Sequence, residues 1–150
     1  MFAILGSSNA GKSSLIGRHV HGDFGKGVKI RTGTITLWDH IITYTDAVDE
    51  KTQGVILVFD TTDQESFKVA KQYLVAVRTV SKTLPIVICG NKFDKLVMHD
   101  NETHDRVIDL DELRALMGDI VGYFDTSAAS NYNIGNPEKY LISKIQMTSD

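Results

Sequence analysis

Residues 6–13 read GSSNAGKS, in which two glycines bracket four residues and lead into lysine and serine. That spacing is G-x-x-x-x-G-K-[ST], and its chemistry is anion binding by backbone. Gly6 and Gly11 let the chain curl, so that N–H groups of Ser7, Ser8, Asn9, Ala10 and Gly11 can converge on a phosphate. A helix beginning near Lys12 would add the positive end of its dipole. Lys12 would then reach the β- and γ-phosphates as a point charge, and the Ser13 hydroxyl would supply one ligand to Mg²⁺, which keeps several of its waters. Ser14, next along the first helical turn, completes the set of candidate phosphate-side residues. At average residue usage an accidental match arises roughly once in a few hundred chains of this length. Strand and helix context must therefore decide its meaning.

Two further stretches carry groups suited to a base. In NKFD, residues 91–94, the Asp94 carboxylate can accept hydrogen bonds from the N1–H and 2-amino groups of guanine, which adenine does not offer in that arrangement. The Lys92 stem can lie over the base plane, and Asn91 can tie this loop to the phosphate loop. Taken alone, Asn, Lys and Asp make an ordinary surface turn. In DTSAAS, residues 125–130, the small residues Ser127, Ala128 and Ala129 would let backbone N–H groups approach a base carbonyl such as guanine O6. Alone this is any serine-alanine loop. The three stretches occur in the order phosphate loop, NKFD, SAAS, and that order makes accident improbable.

Strands and helices must hold such loops together. FAIL (residues 2–5), GVILVF (54–59) and PIVIC (85–89) are continuous apolar runs rich in Val and Ile, which suit strands buried on both faces of a parallel sheet. GYFDTS, from Gly122, is a fourth and weaker strand pattern. Helical patterns lie between them: residues 12–20; a stretch carrying Phe67, Ala70, Leu74 and Val77, with Thr62 and Glu65 as a capping box; and residues 109–118, capped by Asp109. A last helix starts with Asn136 as cap and Pro137 in its first turn. Alternating strand and helix predicts a three-layer α/β fold with a mostly parallel central sheet. The loops then fall at the carboxyl ends of strands, where such sheets bind ligands.

Bulk properties narrow the class. A chain of 150 residues with 42% hydrophobic and 23% charged residues is expected to form one domain with a real core. A net charge of −3 provides no basic field, so neither nucleic acid nor an anionic membrane is an expected partner. Lys26, Lys29 and Arg31 read as a solvated cluster, and His99, Asp100, Glu102, His104 and Asp105 as a polar loop without recognised metal spacing. The single cysteine, Cys89, lies in an apolar run and reads as a buried thiol in a reducing compartment. No leader, membrane span or prenylation cysteine is found, and a monomer without a membrane anchor is expected.

With these residues in view the sequence resembles the Ras superfamily of small GTPases, and within it the Ran branch. RHVHGDF (residues 18–24), LPIVICGNKFD (84–94) and YFDTSAASNYNIGNPEKYL (123–141) carry the Ran-like match, while GVILVFDTTDQESF (54–67) is common to the superfamily. The resemblance implies a P-loop NTPase fold, GTP or GDP with Mg²⁺ as cofactors, and nuclear transport receptors or exchange factors as partners. It implies residence in nucleus and cytoplasm, although the family's acidic C-terminal extension does not follow the last helix.

Residues 25–53 depart from the family. A complete member would have an effector loop giving a threonine to Mg²⁺, a two-strand hairpin, then W-D-T-A-G-Q and a second mobile loop. Here the stretch reads LWDHIITYTDAVDE from Leu37, without the glycine and glutamine expected after Asp39. One alignment makes residues 34–39 the second hairpin strand with Asp39 on the Mg²⁺ side. Another reads residues 33–44 as the first strand and keeps Thr32 as the effector-loop threonine. The first is favoured because Trp38-Asp39 is the rarer pair. Either way the antiparallel hairpin is expected to be shortened or to lack a strand. The missing glycine would have offered an N–H to the γ-phosphate, and the missing glutamine would have oriented water. A guanine-nucleotide-binding protein with weak or absent GTP hydrolysis is the first expectation. A non-enzymatic module that occupies transport receptors or exchange factors is the alternative.

Overall fold

The computed structural model describes residues 1–7, 10–11, 34–37, 40–45, 48–92, 121–127 and 133–148. Six strands form one sheet: β1 (Phe2–Gly6), β2 (Thr34–Leu37), β3 (His40–Thr45), β4 (Gly54–Asp60), β5 (Ile86–Asn91) and β6 (Val121–Asp125). Two described helices are α1 (Gln64–Val80) and α2 (Asn136–Thr148). The strand order is β2-β3-β1-β4-β5-β6, with every pair parallel except β2 with β3.

Every residue of β1, β4 and β5 is buried, because both faces are covered. Side chains alternate between the two faces along each strand. Phe2, Ile4, Ile56, Val58, Val87 and Cys89 join Leu141 and Ile142 of α2 in one cluster. Ala3, Leu5, Val55, Leu57, Phe59, Ile86 and Ile88 meet Phe67, Ala70, Leu74 and Val77 of α1 in the other. Phe59 and Phe67 pack tilted, with ring centroids 5.1 Å apart. The expected three-layer α/β fold is thus observed, with Cys89 buried as its apolar run implied.

Each strand runs further than its apolar stretch suggested. β1 includes Gly6, β4 includes Asp60, and β5 includes Gly90 and Asn91. The reason is backbone pairing: Asp60 stands in register with Asn91, and Gly90 with Asp125. Helix starts shift similarly. Asp63, not Thr62, caps α1, its carboxylate accepting the Glu65 N–H at 3.0 Å. Thr62 is occupied elsewhere, donating to Asp60. Asn136 is the first helical residue of α2; the carbonyl of Gly135 accepts the Lys139 N–H at 3.1 Å, so the cap lies one residue earlier than expected. The patterns at residues 12–20, 97–105 and 109–118, and the Lys26, Lys29 and Arg31 cluster, lie outside the described residues.

The hairpin corrects both alignments. Thr34–Leu37 is the first strand and His40–Thr45 the second, paired antiparallel from Thr34 with Thr43 to Leu37 with His40. Two short β-branched strands satisfy one another across a two-residue connection, so both persist in abbreviated form. β3 then runs parallel to β1, Phe2 facing Tyr44 and Ala3 facing Thr45. The Leu37–His40 end of the hairpin therefore projects past the start of β1, away from Gly6. Trp38 and Asp39, which join those residues in the chain, lie outside the described residues.

Candidate functional site

The parallel strands β1, β4, β5 and β6 all finish at one edge of the sheet, and their polar residues collect there. Gly6 ends β1 against Val58; an added Cβ would collide with the Val58 carbonyl oxygen, so the backbones approach as only glycine permits. The chain turns at once, the Ala10 N–H donating to the Ser7 carbonyl at 3.2 Å. Gly11 follows at φ +91, a conformation that L side chains avoid, and a Cβ there would meet the Asn91 side-chain nitrogen. Gly11 thus packs directly on the Asn91 amide, with no room for a side chain between them.

Asn91, 2% exposed, fastens this turn to the neighbouring strand ends. Its Nδ2 donates to the Ala10 carbonyl at 2.8 Å across 81 residues of sequence. Its Oδ1 accepts from Thr126 Oγ1 at 3.4 Å, and its backbone carbonyl accepts the Thr61 N–H at 3.0 Å. The Thr126 N–H donates to the Gly90 carbonyl at 2.8 Å, carrying β6 on to Ser127, which is fully buried. One side-chain amide thus links the three stretches that the sequence singles out.

Lys92 adopts φ +60, uncommon for a side-chain-bearing residue. Its Nζ lies 3.0 Å from Asp60 Oδ2. Asp60 also accepts from the Thr62 N–H at 2.8 Å and Thr62 Oγ1 at 2.6 Å. Burial alone would push the Asp60 carboxyl up, but hydrogen bonds from Thr62 and the charge and hydrogen bond of Lys92 outweigh it, so its pKa lies below the ordinary value. Asp60 closes the run GVILVFD, where a carboxylate ending a wholly apolar strand was a visible signal. Its partner could not be read from the chain, being 32 positions away by residue number.

Gly6, Ser7, Ala10, Gly11, Asn91, Lys92 and Ser127 are therefore gathered at this edge. Ser8, Asn9, Lys12, Ser13, Ser14, Asp94, Ala128 and Ala129 lie outside the described residues, as do Thr32 and Asp39. Among the described residues no three His, Cys, Asp or Glu side chains converge on a metal position. No described helix is long and apolar enough to cross a membrane.

The described part of the connection from β3 to β4, residues 48–53, leads to the other end of the sheet. β3 finishes at the level of Ala3, three strand positions or roughly 10 Å short of Gly6 at ~3.3 Å per residue. Val48 packs on the α1 side of the core. Asp49 and Thr52 then close a turn: the Thr52 N–H donates to the Asp49 carbonyl at 3.2 Å, and the Lys51 N–H to Asp49 Oδ1 at 2.8 Å. Gln53 is fixed at the start of β1, its N–H donating to the Met1 carbonyl at 2.9 Å while its Oε1 accepts from the Met1 amino group at 2.8 Å.

Together, sheet order and loop placement define an α/β nucleotide-binding protein of the P-loop GTPase class. A family model described as Ras family matches residues 38–147, most of the chain. The chain belongs to the Ras family, whose small GTPases bind GTP and GDP, typically with Mg²⁺.

Asp60 has a pH consequence. Because its folded pKa is below its unfolded one, its contribution to stability is fully present above the unfolded carboxyl value and is lost as pH falls through the folded value. Denaturation of the unmodified protein and Asp60→Asn should show a difference at neutral pH that shrinks below about pH 4. A difference that grew on acidification would contradict the assignment.

Proposed function

We propose that this protein binds guanine nucleotide but does not switch on it, with weak or absent GTP hydrolysis. The observation that carries the reading is the anchoring of residues 48–53 beside Met1, at the end of the sheet remote from Gly6 and Gly11. In a switching GTPase that connection offers a glycine N–H to the γ-phosphate and a glutamine to the attacking water. Here Gln53 is bound to the Met1 amino group, and Asp49 is engaged in its own turn. The phosphate side is different in kind: the turn after Gly6, the positive φ of Gly11 and the Asn91 bond to Ala10 support an anion-binding loop there.

In this reading the backbone of Ser7, Ser8, Asn9, Ala10, Gly11 and Ser14 surrounds the phosphates, Lys12 neutralises them, and Asp94, Ala128 and Ala129 read the base. Ser13 serves Mg²⁺, as Thr32 would from an effector loop. Mg²⁺ supplies charge neutralisation between phosphate oxygens when bound.

Chromatography of nucleotide released from the purified protein should yield GDP or GTP. Single-turnover hydrolysis should remain slow with or without a GTPase activator. Adenine nucleotide, or activator-stimulated turnover like that of an intact small GTPase, would reject the reading. Leu37 and His40, on either side of Asp39, sit past the start of β1, so Asp39→Asn should leave Mg²⁺-dependent nucleotide release within about twofold. Release accelerated severalfold would put Asp39 on the metal side.

The stretches at residues 18–24, 84–94 and 123–141 support a Ran-like placement, with transport receptors or exchange factors as partners and the nucleus and cytoplasm as its compartments. The same anchored connection also favours a second reading, a non-enzymatic module for which nucleotide is a structural ligand that stabilises the fold by mass action. Receptor binding equal in the GDP, GTP and nucleotide-free states would select that reading, and failure to bind in every state would remove it.

A further inference from the structure

The Asp60 carboxylate is divided between two tasks. Oδ1 takes both Thr62 donors, at 2.8 and 2.6 Å, while Oδ2 faces Lys92 Nζ at 3.0 Å. Its backbone is held as well: the Asp60 N–H donates to Ser66 Oγ at 2.8 Å, and that hydroxyl donates to the Asp63 carbonyl at 2.7 Å. The carboxylate is therefore fixed by the start of α1, with only 7% of its side chain exposed. Lys92 is the more exposed partner, at 30%, and is carried on a left-handed backbone. Its Cε lies 3.8 Å from where a Cβ on Gly11 would stand, so the stem runs beside the phosphate loop.

A lysine side chain loses rotamer entropy of up to ~2 kcal/mol when it is ordered. An ion pair this buried is weak evidence for stability, since desolvation offsets much of its attraction. Its geometry has a clearer consequence, which is to order Lys92 before any ligand arrives.

We propose that Asp60 is a positioning residue for guanine-nucleotide binding, holding Lys92 stretched alongside Gly11 so that the stem forms a ready-made wall of the base pocket. This rests on the nucleotide-binding reading above. Asp60 touches no nucleotide; its effect passes through Lys92.

Asp60→Asn separates the two tasks, since an amide oxygen can replace Oδ1 toward Thr62 while the amide nitrogen meets Lys92 as donor against donor. Release of a fluorescent GDP analogue is measured for the unmodified protein, Asp60→Asn, Lys92→Met and the double variant. Asp60→Asn should accelerate release about tenfold, Lys92→Met at least as much, and the double variant should match Lys92→Met alone. A residue with a merely structural role would instead give effects that multiply in the double variant, and that result would overturn the proposal. So would Asp60→Asn releasing nucleotide at the unmodified rate. If the unmodified protein binds no guanine nucleotide, the functional reading fails and this one with it, an outcome distinct from tight binding indifferent to Asp60. Should Asp60→Asn not fold, Asp60→Glu keeps the charge but displaces it by one methylene, and the same faster, non-multiplying release is expected.

Discussion

A strand buried on both faces has no room for polar side chains along its length, and that constraint organises this molecule. β1, β4 and β5 are apolar until their last residues, where Gly6, Asp60 and Asn91 emerge at one edge. The chemistry of the chain is concentrated at that edge because the sheet can tolerate it nowhere else. Asn91 makes the concentration productive. Its buried amide bonds to Ala10 and Thr126, so the first turn after β1 and the segment after β6 are fixed relative to one another by one side chain.

At the opposite end of the sheet β3 stands, among the described residues, in register with Phe2 and Ala3 of β1, and β4 begins again at the level of Phe2. Of residues 46–53, which link β3 to β4 in the chain, the described part is spent on Val48 in the core, the Asp49–Thr52 turn and the Gln53 bonds to Met1. The sheet is continuous here, because the hairpin persists in shortened form and β1 is paired on both sides. On the proposed reading binding and switching are physically separable in this fold: one would reside in strand ends buried in the core, the other in connecting chain that can be shortened without removing a strand.

The apolar runs of β1, β4 and β5 and the Phe67, Ala70, Leu74, Val77 stripe of α1 were legible, because burial on a fixed period leaves a local trace. The last residues of the strands were not, since Asp60 and Asn91 look like loop residues until their ladder partners are known. Trp38-Asp39 misled for a related reason. A familiar pair invited one register, whereas backbone pairing between Leu37 and His40 placed the strands on either side of it. Of the site, the glycines and Asn91 could be named from motif chemistry. The Asp60–Lys92 pair could not, as it joins two strand ends whose adjacency is a property of the sheet.

Separation of binding from switching is tested most directly by amide hydrogen exchange of the protein loaded with GDP and with a non-hydrolysable GTP analogue, read across residues 45–54. Both forms should exchange there at the same rates, since Val48 is held by the core and Gln53 by Met1. Marked protection of residues 45–54 in the GTP-analogue form alone would mean that the connection reaches the γ-phosphate, and would contradict the account.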